Sequence, residues 1–236
     1  MNTFFKTLFS TLVIFLLFSC NSTLKPEGEL DDKIINFKPF DEIELQGSFR
    51  VIFVEDSISK IRIETFHNLV ENLKIEQNGF RLNISENQKV SDEVEIYNVF
   101  IHTKKINEVI AKNSILVDAP SFIRNEKLTL DLKDQVKFIA EIEVKDLMMN
   151  ISDEVDVNLK GSALNLELDA TGTTIAKMPF LTIENTEITL SDVAKAEINV
   201  KSNLEGKVQD NSQLIYIGSP TKDVQQKDLA KIEQKN

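Results

Sequence analysis

Tryptophan is absent from this sequence of 236 residues, and cysteine occurs only once. A lone cysteine rules out an internal disulfide, so no covalent staple holds the fold. Histidine occurs twice, at His67 and His102. Neither has a partner at metal-ligand spacing, so both read as surface or edge-strand residues and no metal site is expected. Glycine is scarce, with seven in all. There is no phosphate-cradling loop, no dinucleotide fingerprint and no Gly-x-Ser-x-Gly elbow, so no cofactor is expected. Positive charge is also in short supply: 27 Lys and Arg stand against 38 Asp and Glu, a net charge of −11. A nucleic-acid binder needs a basic footprint to displace counterions, and that class is excluded.

What is present starts with a short leader. Lys6 and the amino terminus carry its positive charge, and Leu8 to Phe18 is uncharged and mostly apolar. That run is too short for a bilayer core of ~30 Å, which takes about 20 residues of helix. A short apolar run behind a small positive region is a secretory signal peptide, residues 1–19. It ends Leu17-Phe18-Ser19-Cys20, which resembles a lipobox with Phe18 bulkier than usual at its position. Cys20 is then the lipid attachment site and the first residue after cleavage. One acyl chain anchors only marginally, at ~0.8 kcal/mol per buried CH₂, so the two or three chains of a lipoprotein cysteine are needed. The expected partner is a membrane through that anchor, and the expected place is the bacterial cell envelope, at the outer membrane or cell surface. Residues 20–36, with Pro26, Gly28 and the acids Glu27, Glu29, Asp31 and Asp32, read as a flexible, lipidated tether.

Residues 37–112 alternate between apolar and polar. Ile43 and Leu45, Phe49, Val51 and Phe53, and Ile61 and Ile63 fit period-two strands. Asn78-Gly79 between Leu73/Ile75 and Phe80/Leu82/Ile84 is a hairpin signal, because a type I′ turn needs positive φ at both central residues. Asn68 to Asn72 reads as a short helical turn. Antiparallel pairing is expected throughout this region.

Residues 113–220 carry a repeat. Steps of 17 from Ile115 reach Leu132, Met149, Leu166, Ile183, Val200 and Ile217, all apolar. The positions two earlier are Leu130, Leu147, Leu164, Leu181, Ile198 and Ile215, again apolar, with only Asn113 breaking the column. A fixed period with alternating facing predicts stacked strands that bury like upon like. The predicted fold is all-β: a parallel β-helix or solenoid of ~17-residue rungs, with an antiparallel β region at its N-terminal side. An antiparallel sandwich with accidental spacing is the alternative. Residues 221–236 read as a polar tail.

Two end motifs add a resemblance. Phe40-Asp41-Glu42-Ile43-Glu44-Leu45-Gln46-Gly47-Ser48-Phe49-Arg50-Val51 opens the domain, and Tyr216-Ile217-Gly218-Ser219-Pro220 closes it. Their order and spacing resemble the exported bacterial family of putative auto-transporter adhesins with a head GIN domain. The likeness covers about Phe37 to Pro220. It implies a β-helical envelope protein, often a lipoprotein, and supplies no catalytic residues to carry over. The family's Ser-Gly-rich turns are here mostly replaced by Asn, Asp and Ser.

The expected function is a non-catalytic, adhesin-like or structural lipoprotein that binds an envelope protein or glycan surface. The alternative is a carbohydrate-active β-helix enzyme of the polysaccharide lyase or hydrolase kind. Its carboxylates would be pairs such as Glu141 with Glu143, or Glu167 with Glu184, held ~5–10 Å apart. Ser152 to Asp156 is acidic but lacks the glycine-spaced ligands of a calcium loop. The candidate binding face is the outward columns through Asp131, Asn165, Thr182, Asn199 and Tyr216, and through Lys133, Asn150, Glu167, Glu184 and Lys201. Lys201 and Tyr216 are its chosen probes, with Tyr216 and Met148 as its apolar contact points.

Overall fold

A computed structural model describes residues 23–91 and 94–235. The leader and Cys20 lie outside the described residues. The N-terminal region holds β1 (Leu30–Asn36), β2 (Glu42–Gly47), β3 (Arg50–Glu55), β4 (Lys60–Phe66), helix α1 (His67–Asn72), β5 (Leu73–Asn78), β6 (Arg81–Glu86), β7 (Tyr97–Thr103) and β8 (Glu108–Asn113). Antiparallel pairing holds for β1–β4, β4–β7 and the β5–β6 hairpin, whose turn Gly79 has φ 63°. The remaining pairs, β2–β6, β2–β8 and β3–β7, are parallel. The stack therefore begins inside this region. Phe80 sits with Gly79 in the hairpin turn and is exposed, while Leu82 and Ile84 are buried.

The tether is shorter than its composition suggests. Leu24 bridges Val90, and Leu30–Asn36 is a strand paired with β4 along its whole length. Asp32 was free to be a solvated acid in sequence terms, yet it meets the Arg62 guanidinium at 2.8 Å, and this holds its carboxyl below the ordinary value. Charge pairing across the strand pair, with Ile35 half buried beneath, is what a polar segment needs to add an edge strand.

The solenoid proper runs through β9 (Leu116–Leu132), β10 (Lys137–Ile151), β11 (Asp156–Ala170), β12 (Ile175–Leu190), β13 (Lys195–Val208), β14 (Gln213–Ile217), β15 (Thr221–Gln226) and β16 (Lys231–Lys235). All pair in parallel, giving about 7 turns. Inward columns include Leu130–Met149–Leu168–Ile188 and Leu132–Ile151–Ala170–Leu190–Val208, every member buried. Each fully enclosed Leu or Ile in such a column contributes ~1.5–3 kcal/mol relative to exposure.

The register corrects the period. Stacked positions such as Leu132, Ile151, Ala170, Leu190 and Val208 show an interval of 18 to 20 residues. Steps of 17 still strike apolar residues from Leu132 to Met149 and Leu166 because a slip of two along a strand keeps the same facing, and Ile183 does pair with Val200 at 17. A slip of one reverses it. That happens at the last rung, where Tyr216 pairs with Ile198 and turns inward while Ile215 and Ile217 turn out. It happens also at Leu164, which sits beside a corner and is exposed although the 17-residue ladder placed it inside.

One residue per rung turns the chain in the left-handed region. Asn113, Asp134, Asp153, Gly172, Asp192, Asp210 and Asp228 have φ between 56° and 75°. Asn and Asp are the non-glycine residues that tolerate this geometry best. Their side chains also close the turn below: Asp134 accepts from the Asn113 N–H at 2.9 Å, and Asp192 accepts from the Gly172 N–H at 3.0 Å. The polar tail belongs to this pattern. Residues 221–235 form a further rung, with β15 on β13 and β16 on β14. Alternation there is masked by charge, as suits an end rung that has one face in water.

Candidate functional site

The structure separates the two chosen probes. Tyr216 is 8% exposed, its ring packed inside the last rungs, so it offers no contact surface. Lys201 is exposed, 3.6 Å from Glu184. The outward columns also regroup under the observed register. Glu167 stacks with Met148, Glu187 and Glu205 and not with Glu184.

A corner that the sequence reading missed divides these groups. Two outward residues in a row interrupt the alternation at Lys145-Asp146, Leu164-Asn165 and Glu184-Asn185. The second of each pair joins a ladder of side chains. Asn165 Nδ2 donates to Asp146 Oδ1 at 2.7 Å, Asn185 to Asn165 at 3.1 Å, and Asn203 to Asn185 at 2.8 Å. An amide can donate to the rung below and accept from the rung above, so a column of Asn propagates along the stack. The signal was the recurrence of Asn165, Asn185 and Asn203, at intervals the 17-residue period did not sample.

Open grooves flank this ladder on both sides. One, of about 580 Å³, runs along Asp146, Asn165, Asn185 and Asn203 on one wall and Glu167, Glu187 and Glu205 on the other. The second, of about 650 Å³, carries Arg124, Glu143, Lys145, Leu164, Glu184 and Lys201. Its charges are mixed and mostly paired: Arg124 meets Glu143 at 3.2 Å and Lys201 meets Glu184.

Beside the second groove the sheet is broken by an insertion. Met178 pairs with Ile198 and Thr182 with Asn199, so Pro179, Phe180 and Leu181 have no partner residues on β13. Proline lacks an N–H for the ladder and is at home in such a bulge. A bulge re-aims the side chains it contains. Leu181 returns to the core, and Phe180 is thrown into solvent at 79% exposure. On β11 its register partner is Lys160, which pairs with Glu141 at 2.8 Å. Phe180, and not Tyr216, is thus the exposed aromatic of this side of the sheet.

The acids of the enzyme alternative have other engagements. Glu141 and Glu143 are taken by Lys160 and Arg124, and Glu167 and Glu184 lie on opposite sides of the corner. His67 lies 3.0 Å from Asp31, and His102 lies 3.1 Å from Asp56. The Ile58 N–H, with Lys60 and His102, holds the Asp56 carboxyl down at about 2. Burial raises the Glu86 carboxyl above its ordinary value, and burial with the nearby Glu86 charge raises the Tyr97 phenol. The Tyr97 ring packs against Phe49, with centroids 5.6 Å apart. Among the described residues no group of three His, Cys, Asp or Glu has the arrangement to hold a metal ion.

The fold is a filled β-solenoid that meets solvent through long polar faces and open grooves. Residues 39–220 match the family model described as putative auto-transporter adhesin, head GIN domain. The chain belongs to this family. Crystal structures show the same fold. A putative adhesin from Bacteroides fragilis is 18% identical with a TM-score of 0.84, covering 90% of this chain and 100% of its own. A putative adhesin from Parabacteroides merdae is 18% identical with a TM-score of 0.64, covering 91% and 99%. A putative lipid binding protein from Parabacteroides distasonis is 13% identical with a TM-score of 0.67, covering 91% and 100%. No curated protein is similar in sequence.

Proposed function

We propose that this is a non-catalytic lipoprotein of the cell envelope that binds an extended partner, glycan or protein, through the face around Phe180. The observation that carries the reading is the Pro179-Phe180 bulge, which sets one bare aromatic on an otherwise regular polar sheet. A rigid aromatic loses little entropy when a partner covers it, and such residues concentrate binding energy. Lys160 beside it, and Arg124 and Lys201 in the adjoining groove, supply donors for hydroxyl or carboxylate groups. The family's adhesin description agrees with this reading.

Binding of the intact protein to an envelope extract and a glycan panel tests the site. Phe180→Ala is expected to weaken binding about tenfold or more, the scale of one aromatic anchor, without changing the melting temperature. Lys201→Glu should weaken it less. Binding that ignores both changes would place the site elsewhere. Polysaccharide turnover that disappears on removing Glu187 would instead favour the enzyme.

The anchor has its own test, resting on Leu17-Phe18-Ser19-Cys20. Labelled fatty acid should enter the wild-type protein and be missing from Cys20→Ala, which should accumulate unprocessed. A wild-type protein without label would end the lipoprotein reading.

A further inference from the structure

Exposed aliphatic and aromatic surface gathers where the stack begins. Leu30 and Ile34 on β1, Ile58 in the β3–β4 turn and Phe80 in the β5–β6 turn are each more than half exposed. β1 and β5 are outermost strands, each paired on one side only, with β4 and β6 respectively. They belong to the same end of the molecule. The Gln77 side chain of β5 accepts from the Lys38 N–H and donates to the Lys38 carbonyl, both at 3.1 Å, just beyond β1.

The chain enters at this end and is held there. The Leu24 N–H donates to the Lys89 carbonyl at 2.8 Å, and the Leu24 carbonyl accepts from the Ser91 N–H at 2.9 Å. Asn68 then clasps the next turn, donating to the Lys25 carbonyl at 2.7 Å and accepting from the Glu27 N–H at 2.9 Å. Only Asn21, Ser22 and Thr23 separate Leu24 from Cys20. Even fully extended, those four steps reach ~14 Å at most. The polar layer of one bilayer leaflet uses about half of that. A lipid on Cys20 therefore keeps Leu24 within ~7 Å of the headgroup surface.

We infer that the N-terminal end of the solenoid docks on the lipid surface that holds Cys20, seating Ile34 and Phe80 among the headgroups. The inference rests on the lipid-anchor reading. Apolar contact makes the dock, because the end carries both signs of charge, Lys33 and Lys38 beside Asp31 and Asp32, and no basic stripe. β12, with Phe180, lies seven strands from β1 along the sheet, which is roughly 30 Å from the membrane at ~4.8 Å per strand. Docking thus points the proposed binding face and the last rung away from the lipid.

The absence of tryptophan makes this measurable, since any single Trp is the sole reporter. Ile34→Trp, Phe80→Trp, Phe180→Trp and Leu229→Trp all alter exposed positions and spare the core. Each lipidated full-length variant is placed in phosphatidylcholine vesicles containing lipids brominated near the headgroup. Emission from positions 34 and 80 should fall by about half and shift to the blue, and high salt should not reverse it. Positions 180 and 229 should be unaffected. Equal quenching at all four positions, or none at 34 and 80 while mass spectrometry shows lipid on Cys20, would overturn the docking. A blue shift at 34 without quenching, in a protein that sediments as a dimer, would assign that end to a second copy and also overturn it. Mass spectrometry reads the anchor independently. A chain without lipid on Cys20 removes the anchor and the docking together.

Discussion

Gly161→Ala and Gly206→Ala are expected to abolish stable folding or lower stability by about 4 kcal/mol or more, the range reserved for specific structural insults. A Cβ at Gly161 would stand 2.0 Å from the Ile142 carbonyl oxygen, and one at Gly206 would stand 1.9 Å from that of Ile188. Both contacts are with backbone of the neighbouring rung, which cannot rotate away as a side chain can. Both glycines also hold φ values, 112° and 129°, that residues with a side chain rarely adopt. Relief would require two rungs to part where the ladder holds them. Gly79→Ala is the comparison: it too has positive φ, but nothing lies within 4 Å of its added Cβ. It should lose only ~1 kcal/mol. Urea unfolding of the three variants decides the matter. Gly161→Ala as stable as Gly79→Ala would mean that the rungs are not in the register described.

Leu166→Asp is expected to be nearly as damaging, because it would place an unpaired carboxylate between Leu147 below and Thr186 above. Leu166→Ala leaves a cavity and should lose ~2–5 kcal/mol. Glu167→Ala, one residue along, faces water with no ion pair among the described residues and should change stability by ~0.5 kcal/mol or less. Chemical denaturation of the three proteins reads the alternation directly. Similar losses at 166 and 167 would contradict it.

The alternation itself was legible in the sequence, since facing depends on parity and parity survives an error of two in the period. Leu130, Leu132, Leu147, Met149 and Leu166 are therefore all buried as expected, although their stacking partners differ; Ile183 is buried too, and pairs with Val200 at the expected interval. What parity cannot report is a corner or a bulge, each of which consumes an odd residue. The Asn165 corner turned Leu164 outward, and the register of the last rung turned Tyr216 inward. The candidate face inherited that error through Tyr216. Phe180 was visible as Pro-Phe in an apolar stretch, but its exposure depends on the neighbouring rung being shorter, which only stacking shows. The polar strands β1, β15 and β16 were hidden for a different reason. An edge strand buries only part of one face, so charge pairs such as Asp32 with Arg62 replace the apolar pattern. The β5–β6 hairpin and the helix at 67–72 were readable because their signals are local, although the loop is Gly79-Phe80, one residue beyond Asn78-Gly79, and only Gly79 has positive φ.

The parallel register also determines how the molecule would respond to force. The hydrogen bonds between rungs point along the stack, so a load between the two ends is carried by one ladder after another, never by many in shear. Tension would peel the outermost rung first, where β15 and β16 bury no side chain and only Ala230 of the turn between them is buried. Each detached rung of about 19 residues would lengthen the chain by roughly 65 Å at ~3.4 Å per residue. A protein that held a surface through its outer rungs would pay out slack in steps under a sharp pull, and restack, rung on rung, when the pull relaxed.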